Sequence, residues 1–247
     1  MPRYKATIAY DGTLFAGFQR QSKVRTVQEE LEKTLTQINN GQKITIHGAG
    51  RTDKGVHALN QIIHFDFPSL YPEEKMRFAL DTQTPNDLAI KAVKIVPNDW
   101  HARFTPHEKT YEFHVQIIKP RNPFKRNYAS YFPYSIELAQ IKSAIKFLEG
   151  THDFTGFTAN GSAAQNKVRT IYKANVQQTD DELIFTFCGN GFLYKQIRIM
   201  VGTLLKIGNN RMEPIQILKI LNEKKRSLTG PTAHPEGLFL KEIKYFL

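Results

Sequence analysis

The segment His47-Gly48-Ala49-Gly50-Arg51-Thr52-Asp53-Lys54-Gly55-Val56-His57-Ala58 decides how the rest of the chain is read. It is glycine-rich and charged, and it sits between two stretches with strand periodicity. Before it, Lys43-Ile44-Thr45-Ile46 alternates polar and apolar residues; after it, residues 61–67 do the same, with Ile63, Phe65 and Phe67 on one face. The segment is therefore a loop between strands, the kind of place where catalytic groups tend to sit. Its three glycines let the backbone take positive φ and approach a ligand closely, so that Arg51 and Asp53 can be presented rather than buried. An ordinary turn with a solvated Arg-Thr-Asp satisfies the same spacing, and spacing alone leaves both readings open.

Working outward, Tyr4, Ala6, Ile8 and Tyr10 share one face of a first strand that meets the turn pair Asp11-Gly12. Thr26-Val27-Gln28-Glu29 is a capping box, followed by Val27, Leu31, Leu35 and Ile38 at helical spacing and a stop at Asn39-Asn40-Gly41. Pro72-Glu73-Glu74 opens a second helix, and residues 88–96 return to a strand. This β-α-β-β-α-β order belongs to the split βαβ, ferredoxin-like unit, an antiparallel sheet with helices on one face. RNA-binding sheets often use the same topology.

Residues 97–106 form a linker rich in proline and aromatics. Beyond it, residues 110–118 alternate strictly, with Tyr111, Phe113, Val115 and Ile117 on one face, and a basic loop follows at 119–128. A helix carrying Leu138, Ile141, Ile145 and Leu148 runs to Gly150, and strands are expected at 168–176 and 183–188. Residues 192–207 form the most apolar helix, with Arg198 inside it; a last helix begins at Pro214, and Leu238-Phe239-Leu240 opens a closing strand. The fold class expected is α+β, with halves at 1–105 and 106–247, although no sequence repeat proves a duplication.

Lysine and arginine number 34 against 23 acidic residues, a net charge of +11 spread through a well-patterned chain, which points to a polyanion, nucleic acid first. The single cysteine, Cys188, permits no intrachain disulfide and no cysteine-rich zinc site, and fits a reducing, cytoplasmic compartment. The N-terminal residues lack the apolar stretch of a signal peptide, and no segment approaches the roughly 18 uninterrupted apolar residues of a membrane helix.

For chemistry, Asp53 is the first candidate: a carboxylate with a reference pKa of about 3.9 is ionised at neutral pH and needs no prior deprotonation to act as a nucleophile. Arg51 and Arg198 are candidates to hold it. A charge such as Arg198 in an apolar run either snorkels to water or is paired in a cleft. Tyr111 offers a flat ring and a phenol, or is simply core beside Phe113 and Val115. The loop at 17–25 mixes Arg20, Lys23 and Arg25 with Phe18 and two glutamines, which suits phosphate contact and base stacking as well as plain solvation. His47, Asp53, His57 and His64 lack metal-site spacing, so no metal is expected. Gly48-x-Gly50 lacks the third glycine and following helix of a dinucleotide fingerprint, and no G-x-S-x-G occurs.

At Gly50-Arg51-Thr52-Asp53-x-Gly55-Val56-His57-Ala58 the chain resembles the tRNA pseudouridine synthase A family. The likeness extends through Tyr10-Asp11-Gly12, Gly17-Phe18-Gln19-Arg20-Gln21, His101-Ala102-Arg103-Phe104, Lys109-Thr110-Tyr111, Arg169-Thr170-Ile171, Phe192-Leu193, Ile197-Arg198, Val201-Gly202 and Gly230-Pro231-Thr232-Ala233 to Gly237-Leu238, in the family's order over nearly the whole chain. The resemblance implies an isomerase that converts uridine to pseudouridine at positions 38, 39 or 40 of the anticodon stem-loop of tRNA, without cofactor or metal. It implies Asp53 as nucleophile, Arg51 evicting the target base, Tyr111 stacking on the flipped uracil and taking its C5 proton, Arg198 pairing with Asp53, and Leu238 packing the pocket. A flipped base costs a few kcal/mol of stacking, which an aromatic face beside an ionised carboxylate helps to offset. Two ferredoxin-like halves joined in one mixed, mainly antiparallel sheet, helices on one face, a central active-site cleft and a homodimer are also implied. Lys54, Phe18, Lys195 and Ile199 depart from the family's usual alanine, tryptophan, histidine and asparagine, which bears on substrate range. The alternatives are a catalytically silent RNA-binding or tRNA-folding paralogue on the same scaffold and, third, a metal-dependent hydrolase.

Overall fold

The computed structural model describes residues 1–246. In chain order the elements are β1 (Arg3–Tyr10), α1 (Val27–Ile38), β2 (His47–Gly48), β3 (His57–Asp66), α2 (Glu73–Gln83), β4 (Leu88–Val96), β5 (His107–Gln116), β6 (Ser130–Tyr131), α3 (Leu138–Lys146), β7 (Gly150–Asp153), β8 (Val168–Gln178), β9 (Glu182–Gly189), α4 (Gln196–Gly208), α5 (Gln216–Glu223) and β10 (Leu238–Tyr245). The class is α+β with mostly antiparallel strand pairing, as expected. The chain forms two compact units, Met1–His107 together with the segment from Phe239, and Glu108–Leu238.

In the first unit β1 is central, antiparallel to β3 on one side and to β4 on the other. Its alternation is the sequence pattern made physical: Tyr4, Ala6 and Ile8 are fully buried and Tyr10 nearly so, while Arg3, Lys5 and Thr7 are partly exposed. Thr26 caps α1 by accepting from the Glu29 N–H at 3.4 Å, and Val27, Leu31 and Leu35 bury its apolar stripe. Full burial of each such leucine contributes about 1.5–3 kcal/mol. Helix α2 packs on β4 and α1 through Met76 and Leu80.

The outer edge of β3 is shared by two partners. At its C-terminal end β2 pairs antiparallel, His47 opposite His64 and Gly48 opposite Ile63. At its N-terminal end β10 pairs parallel, Phe239 opposite His57 and Leu240 opposite Ala58. The glycine-rich loop leaves the edge between these pairings.

The second unit has β9 between β5 and β8, all antiparallel, with β7 on the far side of β8 and the short β6 parallel to β5. Phe113 and Phe185 oppose each other across β5 and β9, both fully buried. Helix α3 lies on β8 and on α4, where Gly208 brings the α4 backbone against the Ile141 side chain.

Several elements differ from the sequence reading. The strand expected at 43–46 is not one: Ile44 and Ile46 are buried and their neighbours exposed, but the Ile46 N–H goes to the Glu32 carboxylate of α1 at 3.2 Å instead of to a strand ladder. The regular pairing is confined to His47–Gly48. The apolar helix starts at Gln196, not 192, because Lys195 takes a left-handed conformation at φ 58° and breaks the turn before it. Strands β6 and β7 were not anticipated; Gly150, expected only to end a helix, leads directly into β7.

Candidate active site

The loop that carries Arg51 and Asp53 is fixed at Thr52. The Tyr10 phenol and the Thr52 hydroxyl share a hydrogen bond of 2.8 Å, and the Thr52 carbonyl accepts from the Phe18 N–H at 3.1 Å. Gln61, fully buried on β3, also bonds the Tyr10 phenol, while its amide nitrogen donates to the Gly50 carbonyl at 3.0 Å. Burial pushes the Tyr10 phenol up to about 12, with the bonds from Thr52 and Gln61 acting in the opposite sense. Tyr10 is neutral across the physiological range and serves as a strut.

After Asp53 the chain turns sharply. The Val56 N–H donates to the Asp53 carbonyl at 3.2 Å around Gly55, whose φ of 77° is a conformation glycine adopts without strain. A side chain at Gly12 would collide with the Val56 carbonyl, so the Asp11-Gly12 turn lies flat against this corner, and the Gly12 N–H donates to His57 Nδ1 at 3.0 Å. Thr52 and Val56 are thus buried anchors, Asp53 between them is half-buried, and Arg51 and Lys54 are exposed. The arrangement holds a carboxylate on a stiff support with two cationic side chains flanking it in sequence.

The adjoining basic loop is less available than its composition suggested. Arg25 makes a two-pronged ion pair with Asp87 at 2.6 and 2.8 Å and a further bond to Glu30 at 2.9 Å, and stacks on Phe15. Arg20 pairs with the buried Glu32 at 2.7 Å. These side chains tie the loop to the fold. Behind the glycine loop, His47 stacks on His64 with ring centres 4.9 Å apart, and His101 meets His64 edge-on at 4.4 Å and Phe104 at 4.4 Å. Burial, reinforced by the neighbouring His101 and His47, pushes His64 down to about 4. Among the described residues no group of three or more His, Cys, Asp or Glu is arranged to hold a metal ion.

Tyr111, Arg198 and Leu238 belong to the second unit. Tyr111 lies on β5 opposite Phe187, is 7% exposed, and meets the Phe192 ring edge-on at 5.3 Å. Arg198, in the first turn of α4, donates from Nε to the Ala233 carbonyl at 2.8 Å, and its own carbonyl accepts from the Ala233 N–H at 3.0 Å. This double link requires a close approach: at Gly202 a side chain would collide with the Pro231 carbonyl, and at Gly230 it would lie 2.5 Å from the Gly202 carbonyl. Leu238 is buried at the start of β10.

The Tyr10–Thr52–Gln61 brace was not anticipated. Its one sequence signal is Gln61 itself, an amide at the head of a face otherwise made of Ile63, Phe65 and Phe67. The Gly202–Pro231 contact left no local signal, because its partners are distant in sequence.

A sequence profile described as tRNA pseudouridine synthase matches residues 6–105 and 144–245, blocks that hold the Arg51–Asp53 loop and the Arg198 helix respectively. The chain belongs to the tRNA pseudouridine synthase family, and is an isomerase of that class. It is 62% identical over 247 residues to proteins named tRNA pseudouridine synthase A from Streptococcus pneumoniae strains P1031 and Hungary19A-6, covering 99% of this chain and 99% of each relative. Among the described residues no helix is long and apolar enough to cross a membrane.

Proposed function

We propose that this protein isomerises uridine to pseudouridine at positions 38, 39 or 40 of the anticodon stem-loop of tRNA, with Asp53 as the nucleophile. The observation that carries the reading is the half-buried Asp53 carboxylate held between the buried anchors Thr52 and Val56, two residues from the exposed Arg51. A carboxylate held this way needs little reorganisation to meet a reacting atom, and the gain from such positioning is large. In this reading the target base leaves the stack, Arg51 helps to evict it, and Asp53 assists cleavage of the glycosidic bond before uracil turns and rejoins through C5. Tyr111 supplies the ring that stacks on uracil and takes the C5 proton, and Arg198 and Leu238 line the substrate site. The absence of any cofactor, a cytoplasmic location and a homodimeric state complete the proposal, supported by the family resemblance.

The test is site-resolved pseudouridine mapping after incubating pure protein with unmodified tRNAs, alongside Asp53→Asn and Asp53→Ala. Wild type should modify uridines at 38–40, and both variants should lose turnover while binding tRNA normally. Near-normal turnover in either variant removes Asp53 as nucleophile. A wild-type protein that binds tRNA and modifies no site is the silent paralogue.

A further inference from the structure

The second unit contains a basic hollow that none of the residues assigned above lines. Its walls include Thr155, Ser162, Lys167, Lys224 and Arg226, with the loop at Gly161 forming part of the lining, and no carboxylate lines it. We propose that this hollow binds a phosphate group of the tRNA backbone, a contact that adds affinity and register without taking part in the reaction; the inference rests on tRNA being the substrate.

Two of the cations are fixed by the fold. Arg226 donates to the Thr229 hydroxyl, to the Gly230 carbonyl at 3.0 Å and to the Thr232 hydroxyl at 3.1 Å. Lys224 is the left-handed cap of α5 at φ 57°, with its N–H on the Ile220 carbonyl. The turn at Thr155–Phe157 is pressed against the same helix, since a side chain at Gly156 would lie 2.8 Å from Ile220 Cγ2. Holding the Arg226 side chain in place reduces the side-chain entropy lost on binding.

The charge inventory points to an anion. Lys224 is offset by Asp153 at 2.8 Å, and that pairing, with the Thr155 hydroxyl, holds the Asp153 carboxyl down to about 2. Lys167 and Arg226 have no carboxylate within ion-pair distance among the described residues, and burial pulls the Arg226 guanidinium below its ordinary value. The Thr155 and Thr158 hydroxyls donate to Asp153 and to the Phe154 carbonyl, whereas the Ser162 oxygen only accepts, from the Ala164 N–H. The partly desolvated cations beside the Ser162 hydroxyl therefore match the oxygens of a phosphodiester, which accept from both.

The experiment measures tRNA affinity of the full-length protein as a function of salt, for wild type, Lys167→Gln and Arg226→Lys. Each phosphate contact contributes roughly 0.7 to 0.9 to the slope of log K against log salt. Lys167→Gln should make the slope shallower by about that amount, weaken binding several-fold, and place the kinetic loss on KM rather than kcat. Arg226→Lys keeps the charge and should retain most of the slope while weakening binding, because the planar donor fork is lost. A wild-type slope in Lys167→Gln overturns the proposal. So does a hollow that binds millimolar inorganic phosphate, loses it in Lys167→Gln, and leaves the tRNA slope unchanged: that is a free-anion site. A slope change in a protein that forms no pseudouridine keeps the hollow as an RNA contact and rejects the catalytic reading instead.

Discussion

The phenol of Tyr10 and the hydroxyl of Thr52 meet at 2.8 Å in the interior, one residue before Asp53. Tyr10→Phe leaves the Thr52 hydroxyl, and Thr52→Val the phenol, without this partner. A buried polar group deprived of its partner costs about 1–3 kcal/mol. Each variant should lower the urea midpoint correspondingly and, by loosening Asp53, cut single-turnover pseudouridine formation by about tenfold to a hundredfold. The double variant should cost less than the sum, because the second substitution removes the orphan left by the first. Additive losses would mean that the two hydroxyls act independently.

Gly202→Ala tests the contact that brings Ala233 to Arg198. The added methyl meets the Pro231 carbonyl, which cannot rotate away as a side chain would. Overpacking of this kind costs about 1–3 kcal/mol. Thermal unfolding should move down, and activity should fall further than stability explains. An alanine at 202 that leaves both unchanged would show that the Gly230–Ala233 strap is free to shift.

Arg198→Met removes the donor to the Ala233 carbonyl together with the charge, whereas Arg198→Lys keeps only the charge. Methionine should abolish turnover and lower stability. Lysine should restore part of the stability and little of the rate; full rescue would mean that charge alone matters at 198.

The buried imidazole of His64 makes the first unit sensitive to acid. Its Nδ1 accepts from the Ala102 N–H at 3.2 Å, a bond that requires the neutral ring. With its pKa near 4 in the folded protein and about 6.5 in the unfolded chain, the unfolded state binds more protons between those values. Stability is therefore complete above about pH 6.5 and is lost as pH falls toward 4, and His101, lowered by burial, acts in the same direction. Urea midpoints measured from pH 4 to 7 should rise in wild type and rise less steeply in His64→Gln. Parallel curves would exclude His64 as the source.

Much of the fold was legible because local pattern and final burial agree. The strand at Leu88–Val96 and the helix capped by Thr26 were readable from alternation and from a capping box alone. Residues 43–46 show the limit: their alternation reports burial faithfully, yet backbone partnership is a tertiary fact, and here a glutamate on α1 supplies it. Of the candidate site, Arg51 and Asp53 stood out through a glycine pattern and a family likeness. The Ala233 partner of Arg198 did not, because 35 residues separate the two and no periodicity spans that distance. The Arg25–Asp87 pair, 62 residues apart, was hidden for the same reason, and in a loop whose composition suits phosphate contact as well as plain solvation Arg20 and Arg25 are paired with carboxylates.

The shared edge of β3 has a consequence for the order in which the protein is made. The strand that pairs with His57 and Ala58, directly after the Asp53 turn, begins at Leu238. It leaves the ribosome only after the whole of Glu108–Leu238 has been synthesised. Domains generally fold as units during synthesis, the earlier before the later. Here the earlier unit waits for a segment encoded after the later one, with β2 on the C-terminal end of the β3 edge and the His57–Ala58 end still unpaired. The Arg51–Asp53 loop, which runs directly into the strand that this last segment pairs with, gains its full support only when synthesis is nearly complete.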